Sequence, residues 1–174
     1  MKHSISEILF DEERIHKRIS ELAEQISADY KDKSIQVICI LKGSFVFLAD
    51  LIRYLTIPVE IDFMAVSSYG AAASSSGKIN IKKDIDVKIE GKDVLIIEDI
   101  VDTGITLENI MRQLSGYQPK SIKIATLLYK PDSYQKDINV DYIGFSIPNE
   151  FIVGYGLDYN GFGRNYEDIY TLIK

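Results

Sequence analysis

Short apolar runs rich in β-branched residues alternate with segments of helical period along this chain. Ile35-Gln36-Val37-Ile38-Cys39-Ile40-Leu41 is one such run, and Val59–Val66, Val94-Leu95-Ile96-Ile97 and Ile122–Leu128 are others. Runs this short and apolar suit strands covered on both faces, the condition of a parallel sheet. Helical patterns lie between them. Over residues 12–30, Ile15, Ile19, Leu22, Ala23, Ile26 and Tyr30 recur at helical spacing, and charged residues fill the other face. Asp11 stands where an N-cap belongs, with Glu12 and Glu13 at the positive end of that helix. Gly43 ends the first run, and Ser44 is positioned to cap a helix over Phe45–Tyr54. A third helix spans Ile105–Leu114 and closes at Gly116. Strands alternating with helices of this length predict an α/β fold, a parallel twisted sheet flanked by helices.

The remaining segments are less regular. Ser67–Lys78 is small, polar and without period, which reads as a flexible loop. Ile79–Ile81 and Asp86–Ile89 look strand-like, with a turn at Glu90-Gly91-Lys92. Residues 138–174 carry short apolar patches among Gly and Asp and resist assignment. No internal repeat or composition break divides the chain, so residues 1–174 are expected to form a single domain.

Composition excludes several classes. The one cysteine, Cys39, permits neither an intramolecular disulfide nor a cysteine zinc cluster. No apolar run approaches the ~20 residues of a membrane span, and the start lacks an apolar signal segment. Lys and Arg number 20 against 26 Asp and Glu, a net charge of −6 that argues against non-specific nucleic-acid binding. A soluble, cytoplasmic protein with no membrane or nucleic-acid partner is expected.

The chemistry concentrates in Val94-Leu95-Ile96-Ile97-Glu98-Asp99-Ile100-Val101-Asp102-Thr103-Gly104-Ile105-Thr106. A buried strand delivers two adjacent acids at its carboxyl end, where open α/β sheets bind ligands. A turn then opens a helix whose free N–H groups form a phosphate site. Gly104 permits close approach of an anion, and Thr103 and Thr106 add hydroxyls. Glu98 and Asp99 would repel phosphate. They suit ribose hydroxyls, or Mg²⁺ shared with substrate oxygens. A phosphorylated polyol accompanied by a metal fits the whole segment.

Glu-Asp-Ile-Val-Asp-Thr-Gly-Ile-Thr resembles the phosphoribosyl-pyrophosphate signature of type I phosphoribosyltransferases. Leu41-Lys42-Gly43-Ser44 is similar to the pyrophosphate loop of the hypoxanthine-guanine branch. Ser67-Ser68-Tyr69-Gly70 resembles the start of that branch's flexible catalytic loop, and Phe151–Tyr159 its purine-pocket segment. These motifs occur in the family's order over residues 41–164.

The resemblance implies the type I fold, with a small hood built from the chain ends and a flexible loop near residues 67–78. It implies purine salvage: transfer of the 5-phosphoribosyl group from 5-phosphoribosyl 1-pyrophosphate to hypoxanthine and guanine, with Mg²⁺, in a homodimer or homotetramer. Glu98, Asp99, Asp102, Thr103, Gly104, Ile105 and Thr106 would hold the phosphoribosyl group, and Asp102 would be the general base. Leu41, Lys42, Gly43 and Arg164 would bind pyrophosphate, with a strained peptide, cis or trans, at Leu41–Lys42. Lys130 would donate to the purine 6-oxo group, Phe151 would stack on the base and the Ile152 backbone would meet its edge. Asp158 would orient Lys130 and join Glu98 and Asp99 at the metal. Ser68 and Tyr69 would close over the reacting centre.

Two other readings compete. A regulator on the same fold, sensing phosphoribosyl pyrophosphate, would be expected to carry a basic face, which the net charge of −6 opposes. A receiver-like or flavodoxin-like module would place its acid pair near the chain start, whereas Glu98 and Asp99 follow a helical and looped half.

Overall fold

The computed structural model describes residues 5–68 and 79–172. In chain order they form strand β1 (Ile5–Phe10), helix α1 (Glu12–Asp29), strand β2 (Ile35–Leu41) and helix α2 (Phe45–Tyr54). Strands β3 (Val59–Ser68), β4 (Ile79–Lys83) and β5 (Asp93–Val101) follow, then helix α3 (Ile105–Ser115). Strands β6 (Ser121–Tyr129), β7 (Tyr142–Ser146), β8 (Ile152–Val153) and β9 (Ile169–Leu172) complete the sequence of elements.

The four apolar runs become adjacent strands. The large sheet has the order β4-β3-β2-β5-β6-β7, parallel from β3 to β7, with β4 antiparallel at the edge. Alternation of side chains divides the core between the two faces. Val37, Cys39, Leu95, Ile97 and Ala125 join the α1 and α2 side, while Ile38, Ile40, Ile96 and Ile124 meet α3. Ile15, Ile19, Leu22 and Ile26 of α1 are wholly buried. Burial of each such side chain stabilises the fold by roughly 1.5–3 kcal/mol. Asp11 caps α1 by accepting from the Arg14 N–H at 2.8 Å.

A second, antiparallel sheet with the order β1-β9-β8 joins the two ends of the described chain. This is the hood, with β8 and β9 in the stretch whose sequence resists assignment and β1 ahead of the first helix. The hood's other expected part, loop residues 69–78 with Tyr69, lies outside the described residues. No helix among the described residues is long and apolar enough to cross a membrane.

Three local expectations change. Ser44 does not cap α2 with its side chain; fully buried, its hydroxyl donates back to the Ile40 carbonyl. Asp86–Ile89 forms no strand. The Asp86 and Val87 N–H groups donate to the Asp62 carboxylate at 2.6 and 3.1 Å, so their donors are spent on a side chain. The third apolar run continues as β5 to Val101, so Glu98 and Asp99 lie within the strand, with Glu98 level with Thr126 of β6.

Candidate active site

Strands β2, β5 and β6 are neighbours and parallel, so the segments leaving their carboxyl ends converge. β2 runs into Leu41-Lys42-Gly43, and the Leu41–Lys42 peptide is cis. The Asp99 carboxylate of β5 lies against Gly43: a Cβ built there would fall 1.4 Å from Asp99 Oδ2. Gly156 reaches the same point from the segment after β8. Its φ is +93°, and a Cβ on it would stand 2.2 Å from the Gly43 carbonyl oxygen. Glycine at both positions lets three chain segments meet with no side chain between them.

Glu98 and Asp99 are carboxyls under strain of charge. Burial raises the Glu98 pKa well above the carboxylate range, and the adjacent Asp99 raises it further. Burial pushes Asp99 up to about 6, opposed by the Ile100 N–H bond at 2.7 Å and the charge of Arg164. Among the described residues, no three His, Cys, Asp or Glu side chains gather into a ready ligand set. Glu98, Asp99 and Asp158 therefore do not form a finished cage.

β5 ends in the turn Asp102-Thr103-Gly104, and Gly104 precedes α3 in a left-handed conformation, φ +81°. A Cβ on Gly104 would approach Tyr134 Cε2 to 2.5 Å and Lys136 Cγ to 2.9 Å, so the residues after β6 pack onto this turn. Gln135 N–H donates to the Thr103 carbonyl at 3.2 Å. The first N–H groups of α3 lack intrahelical acceptors, as at any helix start, and the Ile105 N–H lies 3.5 Å from Thr103 Oγ1.

Lys130, immediately after β6, is buried, and its backbone N–H donates to Val101 O at 3.0 Å. Its ammonium lies 3.3 Å from Asp102 Oδ2. The expected partner, Asp158, is engaged elsewhere: it pairs with Arg164 Nη2 and accepts from the Gly161 N–H at 2.7 Å. The physical reason is a tight local loop. Arg164 Nη1 also donates to Gly156 O at 2.7 Å, so Asp158 and Arg164 brace one turn. Ile152 is buried and paired with Thr171 of β9, while the neighbouring Phe151 ring is 61% exposed. Ser68 ends β3 opposite Ile79 of β4.

A family model described as "Phosphoribosyl transferase domain" matches residues 6–160. The chain belongs to the phosphoribosyl transferase family. The hypoxanthine-guanine phosphoribosyltransferase of Bacillus subtilis is 47% identical over 165 residues, covering 95% of this chain and 92% of that protein. That of Dictyostelium discoideum is 50% identical over 167 residues, covering 94% and 91%. A crystal structure of a Bacillus anthracis hypoxanthine-guanine phosphoribosyltransferase superposes with a TM-score of 0.94 at 45% identity, covering 98% of this chain and all of that one.

Within this phosphoribosyltransferase, one bonded pair of residues next to the Gly43–Gly156 contact escapes the sequence reading. Tyr155 is buried, and its hydroxyl donates to Asp50 of α2. The sequence does carry a signal, a large aromatic flanked by Gly154 and Gly156, which buries a ring where the backbone turns sharply. His16, read from sequence as a surface residue, is half-buried and meets the Tyr155 ring edge-on.

Proposed function

We propose that this phosphoribosyltransferase moves the 5-phosphoribosyl group of 5-phosphoribosyl 1-pyrophosphate to hypoxanthine and guanine, forming the purine nucleotide and releasing pyrophosphate. The observation that carries this reading is the Lys130–Asp102 pair beside the α3 turn. One end of that pair is a cation suited to a 6-oxo group; the other is a carboxylate suited to a ring N–H.

In this reading the phosphate rests on the N–H groups of the Thr103–Thr106 turn, with the Thr hydroxyls as further donors. Leu41, Lys42 and Gly43, with Arg164, take the pyrophosphate. Bond cleavage at ribose C1 leaves positive charge on the sugar while a purine nitrogen approaches from the opposite face. Asp102 stabilises that charge and accepts the purine proton. Lys130 donates to the 6-oxo group, and selects against adenine because an amino group would oppose a donor with a donor. Phe151, an exposed aromatic, covers the purine face, and the Ile152 backbone meets its edge.

Mg²⁺ is part of the proposal. Two adjacent carboxyls, Glu98 buried and Asp99 half-buried, held above their ordinary pKa suit a divalent cation arriving with substrate oxygens. Glu98 and Asp99 would hold it, and Asp158 would contribute if released from Arg164. Mg²⁺ would neutralise charge on the pyrophosphate leaving group. Ser68 and Tyr69 are proposed to close over the site and exclude water. A homodimer or homotetramer is supported by the exposed apolar side chains Phe45, Ile61 and Phe63. A cytoplasmic location is supported by the unpaired, buried Cys39.

Incubating the protein with phosphoribosyl pyrophosphate, Mg²⁺ and each of hypoxanthine, guanine, xanthine, adenine and uracil tests the assignment. Nucleotide formation from hypoxanthine and guanine is expected. Turnover of adenine or uracil instead would overturn it.

A further inference from the structure

The base-binding segment and the pyrophosphate loop belong to different sheets and are far apart in sequence, yet two contacts tie them together. The first is the seat of Gly156 on the Gly43 carbonyl. The second is the bond from the Tyr155 hydroxyl to Asp50 Oδ2. Asp50 sits on α2, the helix that grows directly out of the pyrophosphate loop.

The backbone around Tyr155 needs such a tie. Gly154, Tyr155 and Gly156 have φ of +111°, +48° and +93°, three left-handed residues in succession. A tyrosine disfavours that region, a cost that surrounding contacts must offset. The ring is 4% exposed, so its packing and the Asp50 bond supply those contacts. Within three residues either side lie Ile152 and Asp158.

We infer that Asp50 and Tyr155 are positioning residues which fix the distance between the purine and the pyrophosphate half-sites. The inference rests on the proposed transfer reaction. In that reaction the incoming purine nitrogen and the departing oxygen must lie in line across ribose C1, and a small misplacement of either reacting group is costly. The tie acts through α2 and the Tyr155 turn and touches no reacting atom. It therefore governs alignment more than affinity.

The test uses the full chain and one assay, phosphoribosyl pyrophosphate with hypoxanthine and Mg²⁺, alongside thermal melting. Tyr155→Phe keeps the ring and removes the donor. Asp50→Ala removes the acceptor, and Asp50→Asn retains an acceptor oxygen. The expected result is a kcat lowered about 10- to 100-fold in Tyr155→Phe and in Asp50→Ala, with both KM values within about threefold. The double variant Tyr155→Phe/Asp50→Ala should be no worse than Asp50→Ala, which already breaks the Tyr155 bond and also removes the carboxylate 3.9 Å from His16 Nε2. Asp50→Asn should recover most of the lost kcat. An inactive parent protein would overturn the proposed reaction itself. An active parent whose Tyr155→Phe and Asp50→Ala forms keep kcat would overturn the inference alone. So would variants that lose folding or activity in proportion to Tm, or an Asp50→Asn form as impaired as Asp50→Ala, since the tie would then be structural only.

Discussion

The Lys130 ammonium rests 3.3 Å from the Asp102 carboxylate, with the lysine side chain 9% exposed and the aspartate 45% exposed. The cation is the enclosed member and the acid faces the open site. A buried ammonium depends on its partner, so the two residues cannot be altered as if independent. An oxopurine that draws the ammonium toward its 6-oxo group would free Asp102 for the ring proton.

Asp102→Asn keeps an oxygen for Lys130 and removes the negative charge. The fold should survive and kcat with hypoxanthine should fall ~10²–10⁴-fold, the range for a lost general base. Nucleotide affinity should change far less. Steady-state kinetics beside a product-binding titration decide the matter; a kcat within about threefold of the parent would remove Asp102 from that role.

Lys130→Met preserves the apolar stem and removes a donor. The lost charge-assisted hydrogen bond is worth roughly 1.5–3 kcal/mol, or about 10- to 150-fold in kcat/KM for hypoxanthine and guanine. Adenine should suffer less, so the hypoxanthine-to-adenine ratio falls. Because Asp102 loses its cation in the same variant, all bases should also show a shared loss. An unaltered ratio would mean that another residue reads the 6-position.

Those two residues mark how far the sequence could be read. The ladder of central strands is written in their apolar runs, since a strand covered on both faces has no polar positions to spare. The turn at Gly104 is equally legible, because only glycine tolerates its φ of +81° beside Tyr134. The partner of Lys130 was not. Family resemblance points to Asp158, but whether an acid meets Lys130 or Arg164 depends on loop geometry that spacing does not encode. The hood was illegible for a related reason. β1 and β9 are short, and their pairing spans nearly the whole described chain, so no local pattern announces it. The Asp50–Tyr155 bond was missed because the glycines flanking Tyr155 signal a buried ring but not which residue its hydroxyl meets.

The double change Glu98→Gln with Asp99→Asn should stabilise the ligand-free protein while raising the KM for phosphoribosyl pyrophosphate. Both carboxyls have folded-state pKa values above their ordinary ones, with Asp99 at about 6. Well below pH 4 each is neutral whether folded or not, and the penalty is absent. Above that the unfolded carboxyls ionise while the folded ones hold their protons, so stability falls with rising pH, for Asp99 until its folded pKa of about 6 is passed. The amides carry no such penalty. The Tm advantage of the variant should therefore grow between about pH 5 and pH 7.5. Melting curves at both pH values check this, and a constant or shrinking advantage would contradict the assigned burial effect.

Gly43→Ala should cripple pyrophosphate handling without unfolding the sheet. The new methyl would overlap Asp99 Oδ2, the built Cβ lying 1.4 Å away, so the carboxylate or the loop must move. Overpacking of this kind costs about 1–3 kcal/mol. The KM for phosphoribosyl pyrophosphate should rise about tenfold or more, with the KM for hypoxanthine much less affected. Equal rises in both would indicate general distortion in place of a local clash.

The hood has a consequence for the order in which the molecule can be assembled. Among the described residues β8 finds its only strand partner in β9, and β9 bridges it to β1. A growing polypeptide can complete the phosphate turn and the large sheet once Ser146 has emerged. Ile152 must still wait for Thr171, so the turn before α3 is in place before β8 has a strand to pair with. Nascent chains stalled between those two points would carry Lys130 and the α3 turn on a formed sheet with β8 still unpaired.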